Sequence, residues 1–324
     1  MKRLVVVGLS FGLVVATSLN VTAAQAKGNV ISEYSIPTAN SLPGEVAAGP
    51  DGNLWFTESG ASKIGRITTS GGITEFPLPT ANSQPVGITP GADGNLWFTE
   101  AAGNKIGRIT PTGTITEFVV PTPASTPWII TGGPDRNLWF TEIAANKVAR
   151  LTPSGTFTEF GVPTPNSGPG GIAAGPDGNV WFTEEFRRFV ARITPSGAIT
   201  EFAIPSGDPS PRRITAGPDG NLWFTEFAGN KVARLTPTGS ITEFGIPTKK
   251  SEPVGINAGP DGNLWFTERA GNNIARITTS GVISEFAIPT GVSQPVGIAT
   301  GPDGNMWFTE FAGNKIGQLE LDDD

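Results

Sequence analysis

The chain has neither cysteine nor histidine among its 324 residues, and only one tyrosine and two methionines. Disulfides, thiolate nucleophiles, imidazole bases and imidazole metal ligands are therefore excluded. Charge is sparse: 22 basic and 29 acidic residues make up 16% of the chain and leave a formal net charge of −7. That balance provides no general basic surface, so the counterion release that drives nucleic-acid binding is missing, and no nucleic-acid partner is expected. Long apolar runs are absent beyond the N-terminal region, so no later segment is expected to span a membrane. What the chain has in quantity is turn-forming residues, 43 Gly and 29 Pro, with 19 Phe and 8 Trp to build a core. This composition points to an all-β fold with many turns.

Met1 to Ala26 has the form of a signal peptide: Lys2 and Arg3, an apolar stretch from Leu4, then small residues ending Ala24-Gln25-Ala26. Cleavage after Ala26 is expected, leaving residues 27–324 as an exported domain in the periplasm or the medium. A retained anchor is the alternative, but the apolar core is short for a span of ~20 residues and is diluted by Ser10, Thr17, Ser18 and Asn20. Lack of cysteine does not oppose export, since a chain this long can bury enough core without disulfides.

The tetrapeptide Trp-Phe-Thr-Glu begins at Trp55, Trp97, Trp139, Trp181, Trp223, Trp265 and Trp307, a step of 42 residues each time. A second marker starts at Ile31, Ile73, Ile115, Phe157, Ile199, Ile241 and Ile283 with the same step. Within one unit, alternating segments around Val86–Ile88, Asn95–Glu100, Lys105–Thr110 and Ile115–Phe118 are separated by Gly, Asn and Pro turns. Each unit reads as a four-stranded antiparallel meander. Seven such units of ~40–45 residues predict a seven-bladed β-propeller. The last unit lacks its outer strand, and Ile31 to Ile36 is a spare strand at the other end of the chain. Pairing the two would close the ring, whereas a linear solenoid would leave that strand unemployed.

Many repeated residues are expected to serve the scaffold. Asp51, Asp93, Asp135, Asp177, Asp219, Asp261 and Asp303 occupy turns, where Asx side chains satisfy backbone groups. Glu58, Glu100, Glu142, Glu184, Glu226, Glu268 and Glu310 end the second strands, where a Lys or Arg on a neighbouring strand is expected to pair with each. The seven tetrapeptide Trp are expected to pack blade against blade.

The string Gly-Pro-Asp-Gly-Asn-Leu-Trp-Phe-Thr-Glu, with Asn-Lys-Ile-Gly-Arg-Ile-Thr and Ile-Thr-Glu-Phe, resembles the virginiamycin B lyase (streptogramin B lyase) family over Ile31 to Asp324. The resemblance implies a seven-bladed propeller and a Mg²⁺-assisted elimination that opens the ester of a cyclic depsipeptide. It also implies catalytic histidines at the positions of Val254 and Val296, and metal-binding glutamates at those of Gln294 and Phe311. None of the four groups is present here. The resemblance therefore carries the fold and not the chemistry, because function resides in the site.

The units also differ among themselves. The residue after the first-strand proline is Gly44, Val86, Trp128, Gly170, Arg212, Val254 or Val296, and Glu45 and Arg213 stand out at the next position. These positions should rim one mouth of the central channel. Glu252 and Gln294 precede that proline, Glu185 follows the fourth tetrapeptide, and Phe186-Arg187-Arg188-Phe189 replaces the usual Ala-Gly-Asn-Lys. Trp128, Arg212, Arg213, Glu45, Glu252, Gln294 and Glu185 are thus the candidate ligand-binding residues. Trp128 would stack a flat group, and the two arginines would clamp an anion. The expected function is an exported propeller that binds a small anionic or aromatic ligand, or a protein partner, without lyase activity, catalytic residues or cofactor. A monomer is the expected state. The alternative is a metal-dependent carbon–oxygen lyase or lactonase-like enzyme using Glu45, Glu252 and Gln294 on a cyclic ester with Mg²⁺. Loop drift, or a structural interaction module, are the blander readings.

Overall fold

The computed structural model describes residues 30–321. The proposed signal peptide, Met1 to Ala26, lies outside the described residues. Short β-branched and aromatic segments between Asn, Gly and Pro turns form strands of five or six residues, and no helix occurs among the described residues. After β1 (Ile31–Ser35), the first blade comprises β2 (Pro43–Ala48), β3 (Leu54–Glu58), β4 (Lys63–Ile67) and β5 (Ile73–Pro77). The pattern repeats to give seven four-stranded antiparallel sheets. In the last of them β1 pairs with Lys315–Leu319, Ile31 opposite Leu319 and Ser35 opposite Lys315. The two ends of the described chain thus close the ring, as the spare strand predicts.

The core lies between blades. Trp55 of the first blade packs with Ile88, Leu96 and Phe98 of the second, and each later Trp repeats this. Trp55 is fully buried. Its indole Nε1 donates to Asp51 Oδ1 at 3.0 Å, Phe76 stacks on it with centroids 5.4 Å apart, and the Arg66 guanidinium lies 5.5 Å from the ring centroid. Asp51 also accepts from the Asn53 backbone N–H at 3.3 Å. The repeated aspartate is therefore both an Asx turn and a partner for the buried indole, in keeping with the scaffold reading.

The glutamate expectation needs correction. Lys63 stands opposite Glu58 in the ladder, but its Nζ turns to Glu75 Oε2 at 3.0 Å and to Thr38 Oγ1 at 2.6 Å. Glu58 is fully buried, and neither of its carboxyl oxygens has a partner. Burial, with the Glu75 carboxylate nearby, raises its pKa to about 8. Glu75 lies on the outer strand and accepts from Thr38 as well, so it solvates the ammonium better than a group sealed inside the blade. The same exchange recurs in the blades that keep the lysine, for example Lys105 with Glu117. In the sixth blade Asn273 replaces lysine and does bond the inner carboxyl, Nδ2 to Glu268 Oε2 at 3.1 Å.

Every inner strand carries a bulge directly after its proline. In the first blade Pro43 faces Glu58 while Val46 faces Phe56, so one residue is extra and the register shifts between them. The tetrapeptide threonine fastens each bulge. Thr57 Oγ1 accepts from the Glu45 N–H at 3.1 Å and donates to Val86 O on the next blade at 2.9 Å. Thr309 closes this belt by donating to Gly44 O at 2.6 Å. Bulges re-aim side chains, and here they turn the residues after the prolines toward one opening of the ring.

Candidate functional site

That opening holds a cavity of about 430 Å³. Two rings of repeat positions build its wall. One is the bulge position and contributes Gly44, Val86, Trp128, Arg212, Val254 and Val296. The other is the residue after each Trp-Phe-Thr-Glu and contributes Ser59, Glu185, Phe227, Arg269 and Phe311. Both rings stand on rigid sheet ends. Thr99 holds the carbonyl of Trp128 at 2.6 Å, and Thr183 holds that of Arg212 at 2.7 Å.

Charge is concentrated on one side. Arg212 makes a direct ion pair with Glu185 through Nη1, and its guanidinium lies 4.7 Å from the Phe227 ring centroid. Arg213 Nε meets Glu45 Oε1 at 2.6 Å, and its Nη1 lies 3.7 Å from Glu185 Oε1. Glu185 is 4% exposed. Burial pushes its pKa up, against the pull of Arg212 and Arg213. The absence of a side chain at Gly170 makes room for it, since a Cβ there would fall 2.2 Å from Glu185 Oε1 and displace the carboxylate. Glu45 and Arg213 also line the upper part of the axial channel, a second space of about 330 Å³. Their ion pair therefore stands at the junction of mouth and channel.

Five of the seven residues singled out from sequence, Glu45, Trp128, Glu185, Arg212 and Arg213, meet around this cavity. Glu252 and Gln294 are not in its lining. They occupy the left-handed position before the proline, with φ of 53° and 52°. Glu252 offers its backbone carbonyl to the Arg269 N–H at 3.1 Å. Gln294 reaches the site indirectly, accepting from Arg269 Nη2 at 3.2 Å. Phe186, Arg187 and Arg188 of the fourth-blade departure border a separate depression of about 240 Å³ with Gly207–Ser210, adjoining the mouth at Glu185; Phe189 is not in its lining. Sequence reasoning missed Phe227 and Arg269. Both occupy the position after the tetrapeptide, where variation among the repeats is the signal that marks them.

Three of the four positions where the resemblance implies catalytic or metal-binding groups, Val254, Val296 and Phe311, line the cavity, and the fourth, Gln294, touches Arg269. Valine and phenylalanine supply no donor to a hard cation, and Mg²⁺ requires oxygen ligands. No group of three or more Asp and Glu converges as a metal site among the described residues. Glu45 and Glu185 are engaged by arginine. The residues at these positions do not fit Mg²⁺.

Fold and mouth together define a seven-bladed propeller with a preformed, largely apolar cavity at one end of its axis. The chain belongs to the virginiamycin B lyase family, whose profile matches residues 15–152 and 119–324. A crystal structure of virginiamycin B lyase from Staphylococcus aureus is 41% identical, with a TM-score of 0.87 over 91% of this chain and 100% of that one. A streptogramin B lyase structure is 38% identical, with a TM-score of 0.88 over 92% and 100% of the two chains. A catalytically inactive histidine-to-alanine variant of the Staphylococcus aureus enzyme, solved with quinupristin, is likewise 41% identical with a TM-score of 0.87.

Proposed function

We propose that this propeller is an exported binding module that holds a small molecule in the mouth cavity and does not perform the family's elimination. The observation that carries the reading is the replacement of chemistry by apolar wall: Val254, Val296 and Phe311 line the cavity where the resemblance implies two histidines and a glutamate. Elimination beside a carbonyl needs a base to remove a proton and a cation or donors to steady the developing enolate. Those positions provide no base and no metal ligand. A similar enzyme is inactive after one histidine-to-alanine change, and this chain has no histidine. The cavity itself is kept: its volume lies in the usual range for small-molecule sites, roughly 300–1,000 Å³, and its wall is positioned by the threonine belt. The metal-dependent lyase or lactonase alternative lacks support, because Glu45, Glu252 and Gln294 do not form a common oxygen cluster.

The test is incubation with quinupristin and with virginiamycin B, with and without Mg²⁺, followed by chromatography and mass spectrometry. Elimination would give a product of altered retention and unchanged mass, and hydrolysis would add the mass of water. Neither product is expected. Turnover that survives repurification would overturn the proposal.

A further inference from the structure

Arg212 and Arg213, the arginines that sequence nominates as an anion clamp, are already neutralised inside the protein by Glu185 and Glu45. Three guanidinium groups and two carboxylates line the cavity, which leaves one positive charge without an internal partner. That charge is Arg269. It lines the mouth and is half-buried. Its side chain donates to the neutral Gln294 Oε1 at 3.2 Å, and among the described residues no carboxylate lies within ion-pair distance of it. In the ring of positions after the tetrapeptides, Arg269 stands between Phe227 on the preceding blade and Phe311 on the following one, and both phenylalanines line the same cavity. The opposite wall is Val86 and Trp128.

We infer that Arg269 is the specificity-determining anchor of this cavity, and that its ligand is an amphipathic monoanion, a carboxylate on an aromatic or branched apolar body. The inference rests on the reading of the mouth as a binding cavity. A guanidinium presents a planar fork that matches a carboxylate. Beside an apolar wall its field is screened less than in open water. One uncompensated cation selects a single negative charge, because a dianion would leave its second charge desolvated and unpaired. The phenylalanines on either side would cover the ligand body while the arginine holds its head.

The experiment is calorimetric titration of the full chain with three probes of one shape: biphenylacetate, biphenylacetamide and biphenylethylamine. The acid is expected to bind at one site, with the amide weaker by at least about tenfold and the amine weaker still. Arg269→Ala should weaken the acid to the level of the amide and leave the amide unchanged, while Arg269→Lys should restore part of the difference. Circular dichroism and thermal unfolding check that the variants fold. Equal binding of acid and amide, stronger binding of the amine, or acid binding indifferent to Arg269→Ala would overturn the anchor and leave the binding cavity standing. Failure of all three probes to bind would overturn the inference and count against the cavity as a small-molecule site.

Discussion

Arg213 on the fifth blade reaches across the mouth to Glu45 on the first, Nε to Oε1 at 2.6 Å, joining residues 168 positions apart. Their side chains are only 11% and 15% exposed. Removing one partner of such a pair strands the other charge in a partly desolvated site. Arg213→Ala should therefore cost about 3 kcal/mol of stability, and Glu45→Gln less, since the amide still accepts a hydrogen bond. Thermal unfolding of both single variants and the double variant should show coupling of about 1 kcal/mol or more. Additive losses would mean that the pair is not formed in solution.

Trp128 gives the cavity an optical reporter. The seven tetrapeptide tryptophans are fully buried between blades, whereas Trp128 lines the mouth. A ligand that enters should perturb the emission of this residue alone. Trp128→Phe should abolish the fluorescence change and weaken an aromatic ligand by about 1 kcal/mol. An unchanged signal in the variant would place the ligand elsewhere.

The inner glutamates make stability depend on pH. Glu58 has its pKa raised from 4.5 to about 8, Glu184 and Glu226 likewise to about 8, and Glu100 to about 7. A raised folded-state value means that the fold holds a proton which the unfolded chain releases. This contribution is complete below the unfolded pKa of about 4.5 and is lost as pH climbs through the folded value. The outer glutamates oppose it: Glu75 and Glu117 are held below their usual value by hydrogen bonds from Lys63 and Lys105. Their contribution is present above the unfolded pKa and disappears as pH falls. Unfolding temperature should thus decline from mildly acidic toward alkaline pH, and Glu58→Gln should flatten the alkaline slope. An identical slope in that variant would show Glu58 to be ionised in the fold.

Blade junctions are not equally strong. Between the third and fourth blades Asn146 accepts from the Ser167 N–H and Oγ and donates to Val162 O and Thr164 O. At the next junction Arg188 and Pro209 stand in place of that Asn and Ser, and proline has no N–H to give. Asn146→Ala should cost about 2–3 kcal/mol, while Arg188→Ala should stay within about 0.5 kcal/mol. Hydrogen exchange should be faster at 207–210 than at the matching loops that keep the Asn–Ser contact. Equal protection at every junction would contradict this.

Much of this was legible in the chain. The 42-residue step, the Asp-Gly-Asn turns and the unused strand at Ile31 specify blade number and closure, because a unit that cannot bury its own faces must stack on copies of itself. The residues after each proline marked the mouth because their variation stood out against a regular background. The partner choices were less legible. Lys63 faces Glu58 in the ladder, while Glu75 stands opposite Gly65, diagonal to Lys63 on the outer strand, and only burial decides which carboxylate the lysine takes. Arg212 and Arg213 look like a free pair until Glu185 and Glu45 arrive from other blades.

The repeat by itself determined the propeller, its ring closure and the absence of histidine chemistry, since these follow from periodicity and residue type along the chain. The tertiary structure alone decided which charges pair, which cation at the mouth has no carboxylate partner among the described residues, and where mouth meets channel. Such outcomes depend on distances between blades that are remote in sequence, and on how far each group is removed from water.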